Sequence, residues 1–241
     1  MPYKLNPITK KFDYYEPMTG VTVQETDIQF HDPFDDGSLF WAWDQVAGNG
    51  SVSEAGDVLT LSIANGQSGR WENGQNTAPR IFTGLPGSPC IILTKLENYT
   101  VNDETFAGLH VSAQPEAGFN NQHAMFGRMR SANAYSKNGL VLFGNNAVQA
   151  SNAVTTLPIY LRIRLQALGV YTRLYADYST DGSSWTALGN VHLYTDLGMN
   201  ASWETMYAGL FAANDLGGWG ANAIDAPFGY FTAYRSFGPS A

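Results

Sequence analysis

The chain has 241 residues, 44% of them hydrophobic and only 14% charged, with a formal net charge of −8. That acidity, with no basic cluster to offset it, argues against nucleic acid or an anionic membrane as the main partner. One cysteine, Cys90, excludes an intrachain disulfide framework, and no apolar run approaches the ~20 residues that a membrane-crossing helix requires.

Residues 1–26 combine Pro2, Pro7 and Pro17 with Lys4, Lys10 and Lys11 and show no sustained periodicity. They read as an extended N-terminal arm, with one domain over 27–241. The opening MPYKLNPITKKF lacks the apolar stretch of a secretory leader, which predicts synthesis in a cytoplasm without an N-terminal signal peptide. The glycosylation sequons at Asn98 and Asn200 carry no weight in that setting.

From Ile28 onward, β signals recur. Strands are predicted over 28–31, 41–46, 58–64, 80–83, 90–96, 106–113, 123–130, 140–143, 160–166, 170–179, 191–194, 206–213 and 228–236. Turn clusters such as Asn65-Gly66, Pro86-Gly87 and Gly217-Gly218 separate them. The clearest stretch is 160–189, where Leu161, Ile163 and Leu165 alternate with Tyr160, Arg162, Arg164 and Gln166. Asp181-Gly182 then turns the chain into a short third run at 184–188. Many short strands in one block of about two hundred residues indicate an all-β, two-sheet antiparallel jelly-roll sandwich.

Several of these stretches carry a resemblance. DPFDDGSLFWAW over 32–43, Ala78-Pro79-Arg80-Ile81, Ala107-Gly108-Leu109, Phe126-Gly127-Arg128, LRIR…DGSSWTALG over 161–189 and YAGLF over 207–211 follow one another in a recognisable order. Together they resemble the DUF1349-like, laminin-G-like members of the concanavalin A-like lectin/glucanase superfamily. The resemblance implies a concanavalin A-like sandwich. It also implies a structural calcium near the opening segment, with Asp32, Asp35 and Asp36 as candidate ligands; the competing reading of Asp35-Asp36-Gly37 is a tight turn. Relatives carry a further aspartate in the closing strand, where this chain has Pro227-Phe228-Gly229-Tyr230-Phe231. The arm MPYKLNPITKKFDYY is in turn similar to the attachment segment of tailed-phage virion proteins. That similarity implies localisation to a virion, docking on other virion proteins (capsid or tail) through residues 1–26, and recognition of host-surface glycans. Homo-oligomerisation stays open.

Catalytic patterns are weak. A glycosidase needs two carboxylates on its cleft, whereas the predicted central strands 123–130 and 160–166 have none. The nearest acidic motif, Glu25-Thr26-Asp27, precedes the first strand. His31, His110, His123 and His192 show no metal-binding spacing, and the run around Cys90 reads as buried. Sugar binding by aromatic faces and planar polar side chains fits better. The candidates are Arg70, Trp71 and Asn73 in one Gly/Asn-rich loop, Asn214, Asp215 and Trp219 in another, and His123 and Arg128 on a strand between them. Trp71 reads equally as a ligand platform or as a lid over the core, and Arg128, Arg130, Arg162 and Arg164 either line a concave face or form an exposed sheet face with cross-strand partners. The expectation is therefore a non-enzymatic, virion-associated structural protein with a lectin-like, carbohydrate-binding adhesion domain. The alternatives are a decoration subunit that binds no glycan and, third, a glycan hydrolase.

Overall fold

The computed structural model describes residues 5–6, 11–12, 28–40, 42–71, 75–85, 89–113, 123–168, 171–199 and 206–235. Of the arm, it describes only β1 (Leu5–Asn6) and β2 (Lys11–Phe12), which pair with each other antiparallel. The globular part runs β3 (Ile28–Asp32), β4 (Asp44–Val46), β5 (Ser51–Ala55), β6 (Val58–Ile63), β7 (Arg80–Gly84), β8 (Cys90–Leu96), β9 (Thr105–Ser112) and β10 (His123–Ser131). It continues with β11 (Lys137–Gly144), β12 (Ala147–Asn152), β13 (Ile159–Leu168), β14 (Tyr171–Ser179), β15 (Thr186–His192), β16 (Tyr207–Ala213) and β17 (Ile224–Arg235).

Seven strands in the order β12-β11-β10-β9-β16-β7-β4 form one sheet. Eight in the order β15-β14-β13-β8-β17-β6-β5 form the other, with β3 added onto β17. The all-β sandwich expected from the alternation is the fold observed. The inward positions are the alternate apolar residues of facing strands: Leu59 and Leu61, Leu161 and Ile163, Phe228 and Phe231 from one sheet, and Leu109, Phe126, Leu142 and Leu210 from the other. Each such side chain contributes about 1.5–3 kcal/mol by leaving water.

The seven-stranded sheet is apolar on its outer face as well. Phe106, Met125, Met129, Val141, Phe143 and Phe211 form a second cluster there, roofed by Trp71, Ala78 and Leu216. Strands buried on both faces lose the hydrophobic-polar alternation, and β9 is buried at all eight positions.

In the β13–β14 hairpin Arg162 stands opposite Asp177 and Arg164 opposite Tyr175. On its outer face Asp177 is buried and accepts hydrogen bonds from Arg162 Nε at 3.0 Å and from Arg164 Nε at 2.6 Å. The guanidinium of Arg162 lies 4.2 Å from the centre of the Trp185 ring. These are the cross-strand partners that the sheet-face reading requires. In the following turn, Asp181 accepts from the backbone N–H groups of Ser183 and Ser184, and these bonds hold its carboxyl well below the usual range. Gly182 adopts a φ of +74° beneath the Tyr160 ring, where a side chain would be both strained and crowded.

The sheets close on each other at their edges. On one side β12 lies against β15, and a β-carbon at Gly189 would stand 2.6 Å from that of Ala150. On the other side β4 passes into β5 through a short turn fixed by Gly50 N–H to Ala47 O at 2.9 Å.

Candidate functional site

The loop that joins β6 to β7 crosses the outer face of the seven-stranded sheet and lays Trp71 on it, 2% exposed. Its indole stacks on His123 at 4.5 Å and meets the edge of His110 at 4.8 Å. The guanidinium of Arg80 lies 4.5 Å from the centre of the same ring. Arg80 is itself held by the carbonyl of Ala78 and by Asn76. Trp71 and His123, two of the residues singled out in the sequence, are therefore brought together, but as the lid of a second core. Arg80 and His110 complete the group.

Both histidines are neutral here. Burial, with the Arg80 charge beside it, pulls His110 down to about 3 against a weaker opposing effect from its bond to Ile81 O. Burial followed by the charges of His110 and Arg80 lowers His123 well below its ordinary range. Because the carbonyl of Ile81 accepts from Nε2 of His110, Nδ1 is the unprotonated nitrogen; it is buried without a partner.

Asn214, at the end of β16, is fully engaged. Its Oδ1 accepts from Gly69 N–H at 2.6 Å, and its Nδ2 donates to the carbonyls of Gln67 and Asn222 at 2.9 and 2.6 Å. It ties the Trp71 loop to the β16–β17 connection. Asp215 follows at a φ of +55° and accepts from Gly220 N–H; a single turn of 3-10 helix, Leu216–Gly218, comes next. Gly217, at a φ of +65°, has no space for a β-carbon, which would lie 2.9 Å from the Trp219 ring and 2.8 Å from Ala134 Cβ. The indole of Trp219 therefore rests on the glycine backbone and stays 64% exposed. Half-buried Arg70 approaches Gly218 from the neighbouring loop, its Nη1 standing 3.6 Å from where a β-carbon there would be. Arg70, Asp215 and Trp219 thus share the rim of the outer face. Asn73 lies outside the described residues.

Arg128 belongs elsewhere. Its register partners Ala107 and Leu140 face the main core. Its guanidinium donates to the carbonyl of Met129 and to Asn138, on the opposite side of the sheet from Trp71.

Of the aspartates proposed for calcium, Asp32 and Asp36 are engaged by groups of the protein itself. Asp32 accepts from Phe34 N–H at 2.9 Å and from Trp43 Nε1 at 2.7 Å, and burial raises its carboxyl above the usual range. Asp36 accepts from the backbone and hydroxyl of Ser38. Glu54 accepts from Gly37 N–H at 2.9 Å and is pushed up to about 7, by burial first and by Asp32 second. No group of three metal-binding side chains that could hold an ion occurs among the described residues. Opposite Asp32 in register stands Phe231, packed edge-on against Trp43. The bonds that Glu54 makes with 36–37 and Ser38 makes with Asp36 fit the turn reading of 35–37.

Acidic side chains are nearly absent from the described strands of this sheet: β7, β9, β10, β11, β12 and β16 contain none, and β4 at its edge contributes one, Asp44, the register partner of Phe82. Glu104, just before β9, is buried and accepts from the hydroxyl of Ser131 and from Asn133 N–H, which is a structural role.

No protein-family description matches the sequence, and no curated protein is similar to it. Solved structures share the fold. A GH43 protein, BlXynB from Bacillus licheniformis, superposes with a TM-score of 0.63 at 17% identity, over 86% of this chain and 39% of its own. The Bacteroides ovatus xyloglucan-locus GH43B gives 0.61 at 15% identity, over 84% and 38%. A LamA variant from Z. galactanivorans, in complex with laminaritriose and laminaritetraose, gives 0.52 at 10% identity, over 86% and 98%. This chain thus spans about two fifths of the length of the GH43 proteins and nearly all of LamA. These likenesses support the antiparallel two-sheet sandwich fold and do not bear on the phage-like arm. They also correct the functional expectation: the proteins that share the fold are glycoside hydrolases, so the virion structural protein without enzymatic activity is withdrawn.

Proposed function

We propose that this chain is the polysaccharide-engaging β-sandwich of a glycoside hydrolase, with the Trp219 rim as its contact surface. The observation that carries this reading is the indole of Trp219, exposed and yet fixed on a turn of positive-φ residues. Large aromatic side chains normally bury their faces, and a rigid exposed one matches the apolar face of a pyranose ring. Arg70 supplies planar donors beside it and Asp215 a planar acceptor, the two groups that neighbouring sugar hydroxyls require. The fold likeness to GH43 proteins and to LamA gives independent support.

In this reading the described residues orient and hold the polymer. Cleavage calls for two carboxylates roughly 5–10 Å apart across the bond, a pairing absent from the described strands of this face. Xylan and laminarin are the first polymers to test, because one similar structure is a xylan β-1,4-xylosidase from Bacillus halodurans and another holds laminari-oligosaccharides. Native gels cast with each polymer should retard the protein, and Trp219→Ala should weaken retardation about tenfold, or ~1.4 kcal/mol. Reducing-end release is followed on the same polymers. A protein that is neither retarded by nor active on any of them would overturn the proposal.

A further inference from the structure

At the same end of the sandwich the chain forms a groove that the Trp219 rim does not use. It has a volume of about 330 Å³ and lies under the loop that connects β8 to β9. Its floor is the outer face of the eight-stranded sheet, where Thr60 and Pro227 are register partners; their neighbours Leu59, Leu61, Ala226 and Phe228 point into the core. Its wall carries Asn98, Tyr99 and Thr100, with Asp225 at the edge.

Two features mark this groove as a binding site. The first is unused hydrogen-bonding capacity: Thr60, Asn98, Thr100 and Asp225 line one space, and none of their side chains has a hydrogen-bond or ion-pair partner among the described residues. The second is rigidity. Asn102 Nδ2 donates to Ala223 O at 2.7 Å, Asn222 Nδ2 donates to Asp103 O at 2.8 Å, and Glu97 N–H donates to Pro227 O at 2.9 Å. The opposing walls are thus cross-tied before any ligand arrives, which lowers the ordering cost of binding.

We infer that this groove binds a single neutral sugar residue. The volume lies at the lower limit of small-ligand sites, ~300 Å³. Pro227 and the partly buried Tyr99 supply apolar walls, while the amide, the hydroxyls and the one carboxylate meet a ring of alternating donors and acceptors. Asp225 excludes anions. The inference stands apart from the Trp219 reading, since different side chains carry it.

The test is a ¹⁵N-NMR titration of the full chain with D-xylose and D-glucose, with lysine as a cationic comparison. The amides of Asn98, Thr100 and Asp225 should shift together, with a midpoint of ~1–10 mM for one sugar. Asp225→Asn should raise that midpoint about tenfold, and Asn98→Ala should raise it too. No shift up to ~100 mM of either sugar, a midpoint that neither variant moves, or a response to lysine in place of the sugars would each overturn the inference. Because the titration reads the groove with monosaccharides and the gels read the rim with polymers, a failure in one is distinguishable from a failure in the other.

Discussion

His110 offers the sharpest quantitative test of the second core. In an unfolded chain a histidine titrates near 6.5, whereas His110 in the folded protein is held at about 3. Below pH 6.5 the unfolded state therefore binds a proton that the folded state refuses, so this contribution to stability is complete above that pH and is lost as the pH falls. The slope is about 1.4 kcal/mol per pH unit, which amounts to about 2 kcal/mol at pH 5. Replacing His110 by Gln removes the titration and leaves an amide able to reach Ile81 O. Any packing cost of the substitution is independent of pH and drops out when one protein is compared with itself across the range. His123 and His31 are lowered as well, the latter to about 4. Glu54 and Asp32, both raised, act with the opposite sign. These groups are common to both proteins. Urea unfolding from roughly pH 7.5 to pH 5 should show wild-type stability falling more steeply than that of H110Q, by about 2 kcal/mol over the interval. Parallel curves would refute the neutral, buried imidazole beside Arg80.

Two further substitutions probe the polar groups that the fold buries. Asp177→Ala leaves Arg162 and Arg164 without their carboxylate. Breaking a buried pair costs about 3–5 kcal/mol, but these guanidinium side chains are 16% and 41% exposed and keep their aromatic contacts, so a loss of ~2 kcal/mol is expected in urea unfolding. A loss under ~0.5 kcal/mol would show that the pair is solvated as an ordinary surface bridge. Trp43→Phe keeps the ring packing but removes the donor to the buried Asp32 oxygen. It should cost ~1–3 kcal/mol with near-ultraviolet dichroism otherwise retained, and an unchanged unfolding midpoint would sink that account.

What could be read from the residues depended on alternation. The runs at 58–63, 90–96, 159–168 and 171–179 alternate or are flanked by strong turns, and they fold close to their expected limits. Ser51–Ala55 and Ala147–Asn152 were missed because small and polar residues, half-exposed on edge strands, present little apolar signal. The expected strand at 41–46 shrinks to Asp44–Val46, since Trp43 N–H instead closes a turn onto Phe40 O. The expected runs at 184–188 and 191–194 are one strand, bulged where it pairs with Ala176 and Asp177.

At the site, glycine and asparagine around Trp71 suggested an open loop. The loop is anchored instead by Asn214, whose partners are 145 and 147 residues away, a long-range tie with no local signature. Evidence for the second core was present in the apolar outer positions of β9, β10 and β11, where Phe106, Met125 and Phe143 break the polar-out rule. Trp219, in its Gly-Gly-Trp-Gly setting, is exposed, whereas the groove beside Asn98 depends on two distant segments meeting.

The closure of the sheets at their margins has a bearing on solubility. A free β edge is a template for another chain, and proteins guard it with short strands, charges or a covering element. Here β12 and β15, the last strands of their sheets on one side, shield each other, and Gly189 permits the close approach. On the opposite side the margins are three and five residues long and carry Asp44 and Glu54. A chain with 14% charged residues has little electrostatic repulsion to keep copies apart. Its resistance to strand-to-strand aggregation therefore resides in the geometry of its margins, and a bulky side chain at position 189 would open that seam to polymerisation.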